Sequence, residues 1–158
     1  MTGTTAKLPS ASAATQPPEA RDATAPATPP ESPIHHLAER YFAWTDTALR
    51  QLAEIAERDE WSGVGHEAAA EEAYGILHDL KGSGVLFGYD LMTHIADSGC
   101  ALIGGRTAID PDSRDVLRQH VDAMKLVMGR RIAGDGGEAG RRLLTKLAGL
   151  RTRTCGPG

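Results

Sequence analysis

The chain has 158 residues, enough for one ordinary domain and too few for two full ones. Aromatic residues are only 4% of it, so a core must come from Leu, Ile, Val, Ala and Met, which suits packed helices better than a β-sandwich. A net charge of -4 and a pI near 5.8 argue against a general nucleic-acid binder, which is normally basic.

Residues 1–32 are rich in Ala, Thr, Pro and Ser, with Leu8 the only large apolar side chain after Met1. Such a segment buries too little to offset its ordering entropy, and a disordered tail is expected, stiffened at its end by Pro29, Pro30 and Pro33. Apolar runs fall short of the roughly 18 residues that span a bilayer, and the first residues lack a signal-peptide core. Cys100 and Cys155 stand far apart, in neither a disulfide framework nor a zinc-ligand spacing. These features predict a cytoplasmic, reducing setting without membrane insertion.

Ser32-Pro33 is a helix start, because Ser caps and Pro is tolerated in the first turn. Leu37, Tyr41, Trp44, Ala48, Leu52 and Ile55 then share one face of a helix running to about Asp59, where "WSGVG" breaks it. A second helix begins near His66 and buries Ala69, Ala73, Leu77 and Leu80. A third follows Gly88, through Leu91, Met92, Ile95, Ala96 and Leu102 or Ile103, and ends at Gly104-Gly105. Asp110 is the expected cap of a fourth, with Pro111 in its first turn and Leu117, Val121, Met124 and Met128 on its buried side. A shorter fifth helix covers about Glu138 to Leu150. The expected fold is all-α: an antiparallel four-helix bundle over residues 33–150 with an additional short C-terminal helix, then a flexible stretch from 151 to 158.

The second helix carries glycines at Gly82, Gly84 and Gly88 directly after a histidine and a lysine. Each glycine in a helix costs about 1 kcal/mol relative to alanine. Either the helix ends at Lys81 with Gly82 as its C-cap, or something bulky must approach the backbone there. If the helix continues, Tyr74, His78, Lys81, Gly82 and Val85 share an outward face. An exposed imidazole, a cation one turn on and a missing side chain beside it describe a place where an anion can be held against a nucleophile.

The stretch "HDLKGSGVLFG" resembles the signature of histidine-containing phosphotransfer (HPt) domains, met here by His78, Leu80, Lys81, Gly82, Ser83, Gly84 and Gly88. "GVLFGY" is also similar to the phosphorylatable domain of chemotaxis histidine kinases. The motif covers eleven residues, and the helical pattern extends the resemblance over about residues 34–150. It implies a helix that runs past the glycines and turns near Gly88. It also implies phosphorelay, in which His78 takes a phosphoryl group from a response-regulator phosphoaspartate and passes it to another receiver. Neutral imidazole carries the lone pair that attack needs. Lys81 would offset phosphoryl charge, Gly82 would leave room for the group, and Gly84 would let a neighbouring helix pack closely.

The resemblance further implies that the receiver supplies Mg2+ and most of the transition-state stabilisation, while this chain binds no cofactor. The chain has no GxxxxGK[ST] loop and no room for an ATP-binding kinase domain, so autophosphorylation from ATP is not expected, and the resemblance implies a phosphocarrier. Family members often place an acid after a leucine to orient the histidine ring. Here "ADSGCAL" has Gly99 and Cys100 at those places, which leaves Asp97 as the candidate orienter, with Ser98 or water as substitutes. Tyr74, Ser83 and Val85 are the expected partner-binding residues, and Ser83 could equally back-bond to its own helix. His35, His36, His66, His94 and His120 lack metal-ligand spacing and are expected at the surface or edge. Arg141, Arg142, Lys146, Arg151 and Arg153 read as a solvated basic face. Two alternatives remain: a non-catalytic adaptor that binds a response regulator, and a substrate domain phosphorylated in trans by a separate kinase.

Overall fold

In the structure, a computed structural model describing residues 33–58, 65–106 and 109–155, every regular element is a helix. These are α1 (Pro33–Glu57), α2 (His66–Leu86), α3 (Asp90–Ile103), α4 (Pro111–Gly129) and α5 (Gly137–Cys155). The expected tail at 1–32 and most of the "WSGVG" break lie outside the described residues. No helix among the described residues is long and apolar enough to cross a membrane.

Apolar spacing decides which faces meet. α1 buries Tyr41, Ala48, Leu52 and Ile55 against α2 and α4. Its earlier apolar residues depart from the expected buried stripe: Leu37 is 54% exposed and Trp44 41%. α3 packs against α2, α4 and α5, and among the described helices α5 packs on α3 and α4. The shared core is Leu, Ile, Ala, Val and Met, including Leu77, Leu80, Met92, Ile95, Leu117 and Met124, all essentially inaccessible.

The end of α2 settles the glycine question raised by the sequence. The helix does not stop at Lys81. It continues through Gly82 and Gly84 to Leu86, and Gly88 takes the left-handed backbone with φ +75°. Tyr89 N–H donates to Gly84 O at 2.8 Å and Gly88 N–H to Val85 O at 3.2 Å, the paired bonds of a Schellman C-cap. The helix therefore runs five residues beyond the local reading, because of the three glycines only Gly88 occupies a conformation that disfavours other side chains.

α2 and α3 then run antiparallel at very close range. A side chain at Gly84 would meet Thr93 Oγ1 and lie 3.0 Å from Tyr89 O, and one at Gly99 would lie 2.9 Å from Leu77 Cδ2. Both distances are below ordinary van der Waals contact, so each glycine permits the approach. The turn between the helices is fastened from outside: Gly134 N–H donates to Gly88 O at 2.7 Å, and Leu91 N–H donates to Gly134 O at 2.8 Å. Phe87 stacks on Tyr41 with ring centroids 4.1 Å apart, which ties the same turn to α1.

α4 starts as its sequence suggests. The Asp110 carboxylate accepts from Ser113 N–H at 2.8 Å and from Ser113 Oγ–H at 2.9 Å. Burial pushes this carboxyl up, but the Ser113 hydrogen bonds and the Arg106 charge outweigh it and hold the group below its usual range. Two expectations are corrected. α5 is not short: it has nineteen residues and includes 151–155 of the supposedly flexible end, since no glycine or proline interrupts Arg151 to Cys155. His120 is not at the surface but fully buried on α4, where it links α4 to α3.

Candidate functional site

The outer face of α2 carries His78. Buried positions on this helix are Ala69, Ala70, Ala73, Leu77, Leu80 and Gly84, so residues 74, 78, 82 and 85 are turned away from the α3 seam by the helical repeat. His78 is exposed, and its ring stacks against Tyr74 one turn earlier, with centroids 6.2 Å apart and planes at 27°. Among the described residues no side chain hydrogen-bonds the imidazole. A Cβ added at Gly82, one turn later, would meet nothing within 4 Å. The two helical glycines of the motif thus differ in role: Gly84 lets α3 in, while Gly82 leaves the space beside His78 open to solvent.

On its α1 side His78 borders a groove of about 430 Å³ walled by Tyr41, Trp44, Leu86 and Phe87, with Asp79, Gly82 and Ser83 also in its lining. Leu86, 82% exposed, gives the groove an apolar rim, and Val85 on the same helix is 59% exposed. The periodicity of α1 marks Tyr41 and Trp44 as core residues, but only the packing of α1 beside α2 reveals that they floor this groove. The sole advance signal is that aromatics, scarce in the chain, recur at Tyr41, Trp44 and Phe87. Beneath the groove, burial pushes the Tyr41 phenol up, opposed by the neighbouring Thr45 and Ser83 hydroxyls. The Tyr41 and Thr45 hydroxyls nevertheless have no hydrogen bond of good geometry among the described residues. Ser83 spends its own hydroxyl on Leu80 O at 3.2 Å, the back-bond within its helix.

A larger depression, about 660 Å³, lies at the other end of α2 between Tyr74 and Gly104. Its rim carries Glu67 and Glu71, and its one cation, Arg106, is already shared by Ser113 Oγ at 2.9 Å and Asp110 at 3.5 Å. Two carboxylates repel an anion, whereas the smaller groove has one, Asp79, in its lining.

On its α3 side His78 is flanked by Lys81. The Lys81 ammonium donates to Asp97 Oδ1 at 2.6 Å, and that hydrogen bond, with the carboxylate's charge, pushes the lysine up. Asp97 therefore holds Lys81 instead of the His78 ring it was expected to orient. The register explains this: Thr93 faces Gly84, Gly99 faces Leu77, and residue 97 falls opposite Lys81. The substitute orienter, Ser98, is likewise engaged elsewhere. His120 Nδ1–H donates to Val116 O at 2.8 Å, so its Nε2 accepts from Ser98 Oγ–H at 3.0 Å. Burial pushes the His120 imidazole down, against the pull of the Val116 carbonyl. Cys100 is a buried free thiol, pushed up by burial.

The structure thus brings His78, Lys81, Gly82, Tyr74 and Val85 onto one side of α2, with Asp97 adjoining through Lys81. Among the described residues no group of three or more His, Cys, Asp or Glu is placed to hold a metal. On α5, Glu138 pairs with Arg141 at 3.1 Å and Arg142 at 3.0 Å, which neutralises part of the basic face. No family model, curated protein or solved structure matches the chain.

Proposed function

We propose that this protein is a histidine phosphotransfer protein of a two-component phosphorelay, carrying the phosphoryl group on His78. One imidazole nitrogen attacks the phosphorus of a receiver's phosphoaspartate. The N–P bond forms, the acyl P–O bond breaks, and the aspartate carboxylate leaves with the bonding electrons. The reverse reaction loads a second receiver. The observation that carries this reading is an unbonded, exposed imidazole beside an empty position at Gly82, on a helix whose opposite face is sealed.

Three further features support it. Lys81 supplies a half-exposed ammonium one turn from the imidazole. The groove of Tyr41, Trp44, Leu86 and Phe87 offers an apolar footing on which a receiver can exclude water around the reacting atoms. Contacts of α1 with α2, α2 with α3, α3 with α4, and α4 with α1 close a ring, as in an antiparallel four-helix bundle with α5 added outside. The receiver brings Mg2+ and the acidic cluster, and this chain brings a positioned nucleophile.

Incubation with the host's phosphorylated receiver domains tests the proposal. Label that is acid-labile, alkali-stable and absent from His78→Gln is expected. One observation favours the adaptor reading: among the described residues no acid holds the His78 ring, because Asp97 is taken by Lys81 and Gly99 and Cys100 occupy the next turn. An adaptor would bind receivers with an affinity indifferent to His78→Gln and acquire no label.

A further inference from the structure

Lys81 and His78 lie three residues apart on α2, so their side chains are neighbours on one surface. The lysine is nevertheless committed to α3, with its ammonium 2.6 Å from Asp97 Oδ1. The side chains are 45% and 58% exposed, and an ion pair so open to water is weakly held. The backbone beneath it is fixed, because Thr93 Oγ1 donates to Lys81 O at 3.1 Å. Lys81 can therefore change partners by side-chain rotation alone, with both helices in place.

We infer that Asp97 is a latch on Lys81: it holds the ammonium while His78 is bare and releases it to the phosphoryl oxygens once His78 is loaded. This rests on the phosphocarrier reading of His78 and specifies how the same site is tuned. A phosphorylated side chain presents roughly two negative charges and three strong acceptor oxygens, against one charge on the carboxylate. The phosphoryl group consequently wins the competition, but Asp97 still takes a share of the ammonium. Asp97 touches no reacting atom and is a positioning residue. Its consequence is kinetic. A phosphoryl group departs through a loose transition state with less charge on its outer oxygens, so a cation on those oxygens stabilises the bound group more than the departing one. Asp97 thus shortens the life of the phosphohistidine.

The test uses phosphoramidate on the full chain, without any receiver. The imidazole lone pair forms the new N–P bond, the P–N bond of phosphoramidate breaks, and ammonia leaves. The lifetime is read by 31P NMR from the signal that His78→Ala lacks. Asp97→Asn should lengthen it about two- to fivefold, and Lys81→Met should shorten it by a similar factor, the range of an exposed ion pair. The double variant should match Lys81→Met, and Asp97→Glu should stay near wild type. An unchanged lifetime in Asp97→Asn, or equal lengthening in the Lys81→Met background, overturns the latch, the second because Asp97 would then act by its own charge. The two ideas fail separately. A receiver screen that yields no transfer sinks the relay and leaves the latch standing if the lifetimes couple, whereas uncoupled lifetimes beside normal transfer sink the latch alone.

Discussion

Gly82 and Gly84 stand two residues apart on one helix, yet one faces solvent and the other faces a second backbone. A side chain at Gly84 would collide with Thr93 Oγ1 and the Tyr89 carbonyl, whereas one at Gly82 would meet nothing. The same residue type therefore serves packing on the inner face of α2 and access on the outer face. The lesson is that a glycine's role is read from what its missing Cβ would have touched. The inner face holds the fold together, and the outer face leaves the space beside His78 open.

Four substitutions break or sharpen that contrast. The largest effect should come from Gly84→Val, which overpacks the α2–α3 seam and should destabilise by about 3 kcal/mol in a urea melt. If Gly84→Val leaves stability unchanged, the seam is looser than described. Gly82→Gln should do the reverse on the outer face. It should raise stability by about 0.5 kcal/mol through helix propensity while slowing phosphoryl transfer to His78. Leu86→Glu, at the groove's rim, should shift stability by no more than about 0.5 kcal/mol and weaken receiver binding, seen by titration calorimetry.

The smallest effect should be a pH slope. His120 is buried neutral with its imidazole held below the ordinary 6.5, so it binds fewer protons folded than unfolded. Its contribution is present above that unfolded value and lost as pH falls through the folded one. Stability measured from pH 7 to pH 5 should decline, and His120→Gln, though less stable at pH 7, should flatten the decline.

Legibility in the sequence followed the range of the forces involved. Asp110 and Pro111 mark the start of α4 through contacts within a few residues, and the cap forms as expected. Gly82 looked like a helix stop because propensity treats all glycines alike, while the actual stop depends on the left-handed backbone at Gly88 and its two bonds. Periodicity identified Leu37 and Trp44 as sharing a face with Leu52, but it cannot say how far along that face a neighbour reaches. Helical spacing puts His78, Lys81 and Gly82 on one outward face, and there they are exposed or half-exposed neighbours. The same spacing cannot assign Asp97, since whether that carboxylate meets residue 78 or 81 depends on the register between α2 and α3. His120 was misjudged because its partners, Val116 O and Ser98, become visible only when α3 and α4 are packed.

The central claim is that the open face of α2 takes a phosphoryl group on His78. Transfer of label from phosphorylated receivers to wild type and to His78→Gln, with thermal melts of both, tests it most directly. Wild type should gain alkali-stable label and the variant none, with the two melting alike. Label retained by the folded variant, or none gained by wild type from any receiver of its host, would contradict it.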